Sequence, residues 1–310
     1  TYEWTDFLRF LQRAERSYKA GDGLAWFVIL DEMNLAHVEY YFADLLSVLE
    51  SGRFEDGEMQ GLTREPLRFA YPEDAEGDLP PRELRLPPNL YVVGTVNVDE
   101  TTHAFSPKVL DRAFTLEFTE VDFATYPPQL TGEGTTPDAD TTQQLLRAFT
   151  QDATFERVDK GTIAAFVAEH PEVRGRLQNL NNLLTPHDMH FGYRVFDEIV
   201  TFLSAAEQNE MFAEESGADP ALDAAVLMKV LPKFHGSRGK LEAPLCAVLA
   251  WCLNPDVPDP VQIDGALSNV EDANQATAKL AGLEYTHRRT ATRAVRMLRA
   301  LYTDGFAAFG

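Results

Sequence analysis

Apolar and polar positions follow different rhythms in the two halves of this chain. Trp4, Phe7, Leu8 and Leu11 recur at helical spacing, which predicts a helix over residues 5–20 stopped by Gly21. Leu24–Leu30 is a short continuous apolar run ending in Asp31-Glu32, too short for a helix and patterned as a buried strand. Leu35, Val38, Phe42, Leu45 and Leu49 share one helical face, with Gly52 beyond its end. Residues 53–88 are polar and punctuated by Pro and Gly. Within them Leu67-Arg68-Phe69 and Leu84-Arg85-Leu86 alternate like the strands of a hairpin around an acidic loop. Leu90–Val96 reads as a second buried strand, ending at Asn97, and Ser106-Pro107 opens a short helix reaching about Arg112. Thr115–Phe118 is a third short strand candidate.

Residues 126–141 carry Tyr126-Pro127-Pro128 and a Thr/Gly-rich stretch to Pro137, the texture of a linker. Beyond it the strand rhythm disappears. Residues 142–310 are helical in pattern, broken at Pro171, Pro186, Pro232 and Asn254–Pro260. The expected architecture is therefore α/β followed by all-α: residues 1–125 with a hairpin insert at about 66–88, a linker at 126–141, and a helical domain over 142–310. No internal repeat is visible.

Composition narrows the partners. The chain has 310 residues and a net charge of −22, so its average field repels nucleic acid, although a local basic patch remains compatible with binding. Its longest apolar run, Leu245–Leu253, is far short of the roughly 20 residues that span a bilayer, and no membrane partner is expected. Cys246 and Cys252 match no metal or redox spacing and read as core thiols of a reducing, cytoplasmic setting.

The chemistry-bearing residues lie at strand ends. Parallel α/β sheets hold ligands at the carboxyl ends of their strands, so an apolar strand stopping at Asp31-Glu32 delivers both acids to that edge. In phosphoryl transfer one such acid supports Mg²⁺ and its neighbour polarises the attacking water. Asn97, ending the second strand, suits a hydrogen bond to that water or to the γ-phosphate. Arg112, ending a short helix, suits contact with developing phosphate charge across a subunit interface.

Trp26-Phe-Val-Ile-Leu-Asp-Glu-Met-Asn-Leu-Ala resembles the Walker B segment of AAA+ ATPases. Val93-Gly-Thr-Val-Asn-Val-Asp-Glu-Thr-Thr-His-Ala-Phe-Ser-Pro-Lys-Val-Leu-Asp-Arg-Ala-Phe resembles sensor 1 followed by the arginine-finger helix. The wording is similar to the McrB-type branch, the motor of modification-dependent restriction systems. Phe191–Ile199, Val230–Ser237 and Met297–Phe309 are similar, more loosely, to that branch's helical lid. The resemblance implies a partial P-loop NTPase core with a large lid. It makes Asp31 the Mg²⁺-supporting acid (through water), Glu32 the catalytic base, Asn97 sensor 1, Arg112 the arginine finger and Arg194 a sensor-2-like arginine, with Asp99 near the nucleotide. Asp197 and Glu198, three and four residues beyond Arg194, offer that arginine an alternative as surface pairs. The implied cofactors are Mg²⁺ and ATP or GTP. The implied partners are further copies of the chain in a ring, a McrC-like nuclease, and DNA read by a domain or subunit elsewhere.

The sequence departs from this pattern in two places. It holds no GxxxxGK[ST] loop: Gly236-Ser-Arg-Gly239-Lys240-Leu241 has the wrong spacing, ends in Leu and lies in the helical part. The phosphate-binding strand and loop are expected to lie upstream of Thr1, and this chain alone is expected to bind nucleotide poorly. Where the branch reads Asn-Thr-x-Asp, this chain has Asn97-Val98-Asp99-Glu100, which leans toward ATP. Two alternatives stay open: a MoxR-like protein-remodelling chaperone, which suits the acidic surface, and a non-catalytic interaction module derived from the same fold. Among lesser features, His187 and His190 lack further metal ligands. Lys233, His235, Arg238 and Lys240 form a basic cluster open to a DNA, partner or solvent reading. Arg289, Arg293, Arg296 and Arg299 stripe the last helix.

Overall fold

A computed structural model describes residues 4–97, 105–118, 123, 138–150, 160–213, 215, 219–270 and 272–309. The chain divides into two compact units, Thr1–Val109 with Thr119–Arg157, and Leu110–Phe118 with Val158–Gly310.

In the first unit, α1 (Asp6–Ala20) is capped by Thr5, whose Oγ1 accepts from the Leu8 amide, and closed by Gly21 at φ 69°. β1 (Trp26–Leu30) follows. The single helix expected from Leu35 to Leu49 is instead three pieces: a 3₁₀ turn Met33–Leu35, α2 (Val38–Tyr41) and α3 (Ala43–Glu50). The breaks fall at Ala36 and His37, both extended, and at Phe42. Val38, Phe42, Leu45 and Val48 still face the core, while Leu35 and Leu49 are exposed.

β2 (Leu67–Arg68) and β3 (Glu83–Leu84) form the expected antiparallel hairpin. Leu67, Leu84 and Leu86 at its base join the core of Leu11, Val38, Phe42, Leu45, Val48 and Val109. β4 (Leu90–Gly94) pairs in parallel with β1, Trp26 opposite Leu90 and Leu30 opposite Gly94. Asn89, fully buried, ties both strand starts to α1: its Nδ2 donates to the carbonyls of Ala14 and Leu24, and its own carbonyl accepts from Trp26 N–H at 2.8 Å.

Both strands were expected to be buried, and neither is. Phe27 is 45% exposed, Ile29 67% and Val93 47%. Among the described residues the sheet has two strands, so each keeps an open edge. One face, with Phe27 stacked on Tyr91 at 5.2 Å, is left uncovered. The short helix after Ser106 is α4 (Pro107–Leu110), and α5 (Ala139–Thr150) groups with the first unit.

The second unit is helical. In chain order it holds α6 (Lys160–Glu169), α7 (Pro171–Leu184), α8 (Tyr193–Gln208) and α9 (Pro220–Lys229). β5 (Gly236–Ser237), α10 (Arg238–Leu253), α11 (Pro260–Leu267), α12 (Ala273–Ala281), α13 (Arg288–Asp304) and β6 (Phe306–Ala307) complete it. Pro171, Pro220 and Pro260 sit in first helical turns, where a missing N–H costs nothing. Pro186 and Pro232 sit in 3₁₀ turns.

The apolar run Leu245–Leu253 is the buried stretch of α10, which packs on α13. Cys246 and Cys252 within it are free thiols, and burial pushes Cys246 up to about 12. The segment expected as a strand over 115–118 forms none. It carries no regular element and lies within the second unit, Thr115 N–H donating to the Met228 carbonyl at 2.9 Å. Among the described residues no helix is long and apolar enough to cross a membrane.

Candidate functional site

The first unit brings together three of the predicted residues. At the end of β1 the chain turns through Glu32, which holds a left-handed backbone (φ 49°, ψ 45°). That conformation is sparsely populated for a residue with a Cβ and costs roughly 1–3 kcal/mol. Beside it β4 runs out through Thr95 to Asn97. Thr95 Oγ1 accepts from the Glu32 amide at 2.8 Å and donates to Asp31 Oδ1 at 2.6 Å. Asn97 Nδ2 donates to Glu32 Oε1 at 3.1 Å. Two backbone bonds extend the pairing beyond the strands: Thr95 N–H to the Leu30 carbonyl (2.9 Å) and Met33 N–H to the Thr95 carbonyl (3.0 Å). Buried Asn34 anchors the far side, its Nδ2 donating to the Asn97 carbonyl at 2.8 Å.

Asp31, Glu32 and Asn97 are all exposed, so the carboxylates open outward from the strand ends. Gly94 leaves room for the Met33 side chain, since a Cβ there would lie 1.9 Å from Met33 Sδ. Thr95 and Asn34 carry no periodic signal, and reading the strand ends for acids and amides misses both. The donor set is hard oxygen: two exposed carboxylates beside a hydroxyl. That suits Mg²⁺, which keeps most of its water and takes one or two protein carboxylates. Asp99 lies outside the described residues.

Arg112 and Arg194 belong to the second unit. Burial lowers the Arg112 pKa from its ordinary value, and nearby Arg194 lowers it further, while Glu198 acts in the opposite sense. The two arginines therefore share one electrostatic neighbourhood. Of the carboxylates that sequence spacing offered to Arg194, Asp197 pairs with Lys160 and Glu198 with Lys229. Lys229, which the sequence reading passes over, has a fully buried side chain. Its signal is a lone cation in the apolar run Ala224–Leu231.

Most of the remaining basic features are paired within the unit. Lys233 pairs with Asp111, Arg238 makes a two-point pair with Glu242, and Lys240 donates to the His235 carbonyl. Of the α13 stripe, Arg289 pairs with Glu215 and Arg293 with Glu117, while Arg296 and Arg299 are exposed. A cavity of about 410 Å³ between α6, α7, α8 and α9, lined by Phe166, His170, Glu207 and Phe212, holds none of the predicted residues. Among the described residues no group of three or more His, Cys, Asp or Glu is placed to hold a metal.

A protein-family profile described as a domain of unknown function (DUF8727) matches residues 148–306, just over half of the chain. That span includes Arg194 and Lys229 but not Asp31, Glu32, Asn97 or Arg112. No curated protein and no solved structure matches.

Proposed function

We propose that this chain, which belongs to the DUF8727 family, is part of an AAA+ nucleoside triphosphatase of the McrB type, acting in a ring of like subunits. One observation carries the reading. Asp31, Glu32 and Asn97 meet at the carboxyl ends of two adjacent parallel strands, joined through Thr95. That edge is where open α/β sheets hold ligands.

Glu32 is the base: its carboxylate takes the proton of the attacking water, and Asn97 Nδ2 holds it in line from 3.1 Å. Asp31, oriented by the Thr95 hydroxyl, is the residue that would hold Mg²⁺, and the ion would supply charge neutralisation at the phosphate oxygens. Arg112 reaches the phosphates bound by a neighbouring subunit, with Arg194 close to it in charge space and Asp99 completing the nucleotide surroundings. These 310 residues hold no GxxxxGK[ST] loop, and the open edges of β1 and β4 are where further strands of such a core would pair.

ATP is favoured over GTP by Asn97-Val98-Asp99-Glu100. The motor drives a McrC-like nuclease in the cytoplasm, on DNA recognised elsewhere, since the basic cluster of the second unit is spent on internal contacts. The same occupancy and the charge of −22 favour a second reading, remodelling of proteins in the manner of MoxR-like chaperones.

The test is Mg²⁺-dependent hydrolysis by the native assembled protein. Arg112→Ala abolishes turnover while leaving nucleotide bound, and activity returns on mixing with Glu32→Gln subunits, which keep their own Arg112. No recovery on mixing contradicts a finger acting between subunits.

A further inference from the structure

Lys229 ends α9 with its side chain 0% exposed. An ammonium removed from water is costly unless every proton finds a partner. Here all three do. Nζ donates to the Asp111 carbonyl at 2.9 Å and the Ala113 carbonyl at 3.1 Å, and pairs with the Glu198 carboxylate. It also sits 5.0 Å from the centroid of the Phe114 ring. The two carbonyls bracket one residue, Arg112. A methionine would fill the same space without the desolvation cost, so packing alone does not account for a lysine here.

Other contacts point the same way. Thr115 N–H donates to the Met228 carbonyl at 2.9 Å, Lys233 pairs with Asp111, Phe114 stacks on Phe202 at 5.6 Å, and Glu117 meets Arg293 at 3.2 Å. Residues 110–118 are thus fastened to the helical unit along their length, and Lys229 holds the point where Arg112 leaves the backbone. Glu198 completes the arrangement, pairing with Lys229 and facing Arg112.

We infer that Lys229 is a positioning residue for Arg112: it holds the carbonyls of the residues before and after Arg112, so the helical unit sets the direction of its guanidinium. Its consequence for hydrolysis rests on the finger role proposed above for Arg112. The helical unit is then part of the catalytic apparatus it presents to a neighbour, and any rearrangement of α9 within that unit carries Arg112 with it.

The experiment uses Lys229→Met and Lys229→Arg in the native assembled protein, with two readouts. Amide hydrogen exchange is followed by peptide across residues 110–118. In Lys229→Met it quickens at least tenfold there while α10 and α13 keep their protection, and Lys229→Arg, which retains a cation, recovers part of it. Unchanged exchange over 110–118 overturns the inference. In mixed assemblies Lys229→Met subunits lose hydrolysis but not nucleotide binding, and mixing with Glu32→Gln subunits, whose Lys229 and Arg112 are intact, restores it. Hydrolysis retained in Lys229→Met, or no recovery on mixing, overturns it as well. If Lys229→Met fails to fold, Lys229→Arg decides: exchange over 110–118 faster than wild type together with reduced turnover supports the clamp, and fast exchange with undiminished turnover refutes it. If Arg112→Ala itself leaves hydrolysis untouched, the finger assignment is what falls, and the role of Lys229 in turnover falls with it whatever the exchange shows.

Discussion

Thr95 places both acids with one oxygen. Its hydroxyl donates to Asp31 Oδ1 and accepts from the Glu32 amide, so it fixes one carboxylate and the turn that aims the other. Hydrogen bonds to charged groups contribute about 1.5–3 kcal/mol, so losing this one slows hydrolysis by about ten- to a hundredfold. Thr95→Val is expected to show that loss in kcat with nucleotide binding little changed, and Thr95→Ser to recover most of it. A Val variant with wild-type kcat contradicts this placement. The juxtaposition of Asp31, Glu32 and Asn97 is legible in the sequence because apolar strands end in polar residues and parallel strands put those ends on one edge. Thr95 and Asn34 are not legible, since a hydroxyl or amide that bonds across 63 residues of chain leaves no local pattern. Lys229 does leave one, because a cation inside an apolar helix has to be answered by buried acceptors.

At the scale of elements, β1 and β4 carry the geometry, and Gly94 sets how closely the turn after β1 lies on β4. A methyl group at Gly94 would sit 1.9 Å from Met33 Sδ, 3.1 Å from Cγ and 3.3 Å from Cε, so the whole Met33 side chain has to move. Gly94→Ala is expected to cost about 1–3 kcal/mol by overpacking. Adding Met33→Ala, which empties the space, is expected to remove much of that cost, and denaturant midpoints of the single and double variants measure it. Strictly additive losses contradict the contact. The positions of β1 and β4 are legible from continuous apolar runs and the hairpin from alternation, but burial is not. Phe27, Ile29 and Val93 have the composition of a central strand, while only two strands stand side by side among the described residues. The helix over 35–49 fails as one piece because apolar spacing says nothing of the extended backbone at Ala36 and His37. The strand expected at 115–118 does not form, and its Thr115 amide turns instead to α9.

At the scale of the molecule, the helical unit joins four helices around a buried polar centre. Asp223 of α9 caps α13, accepting from the amides of Arg289 at 2.8 Å and Thr290 at 2.9 Å. His287, fully buried, stacks on Trp251 of α10 at 4.4 Å and is faced by Asp223, Asp219 and Asp256 and by Arg176 of α7. Burial holds its pKa below the ordinary 6.5 despite those acids. Well above pH 6.5 the imidazole is neutral whether the chain is folded or not. Below it the unfolded chain binds a proton that the folded one resists, so stability falls with pH until the folded pKa is passed. His287→Phe is expected to flatten the fall in unfolding free energy between about pH 7 and pH 5, and equal slopes in both proteins contradict it. The functional account reduces to whether Glu32 is the base beside a bound triphosphate. Glu32→Gln in the native assembled protein, supplied with Mg²⁺ and ATP or GTP and then quenched, reports this through the nucleotide recovered from the protein. The expected result is near-wild-type binding with the triphosphate retained uncleaved, and turnover at the wild-type rate would contradict it.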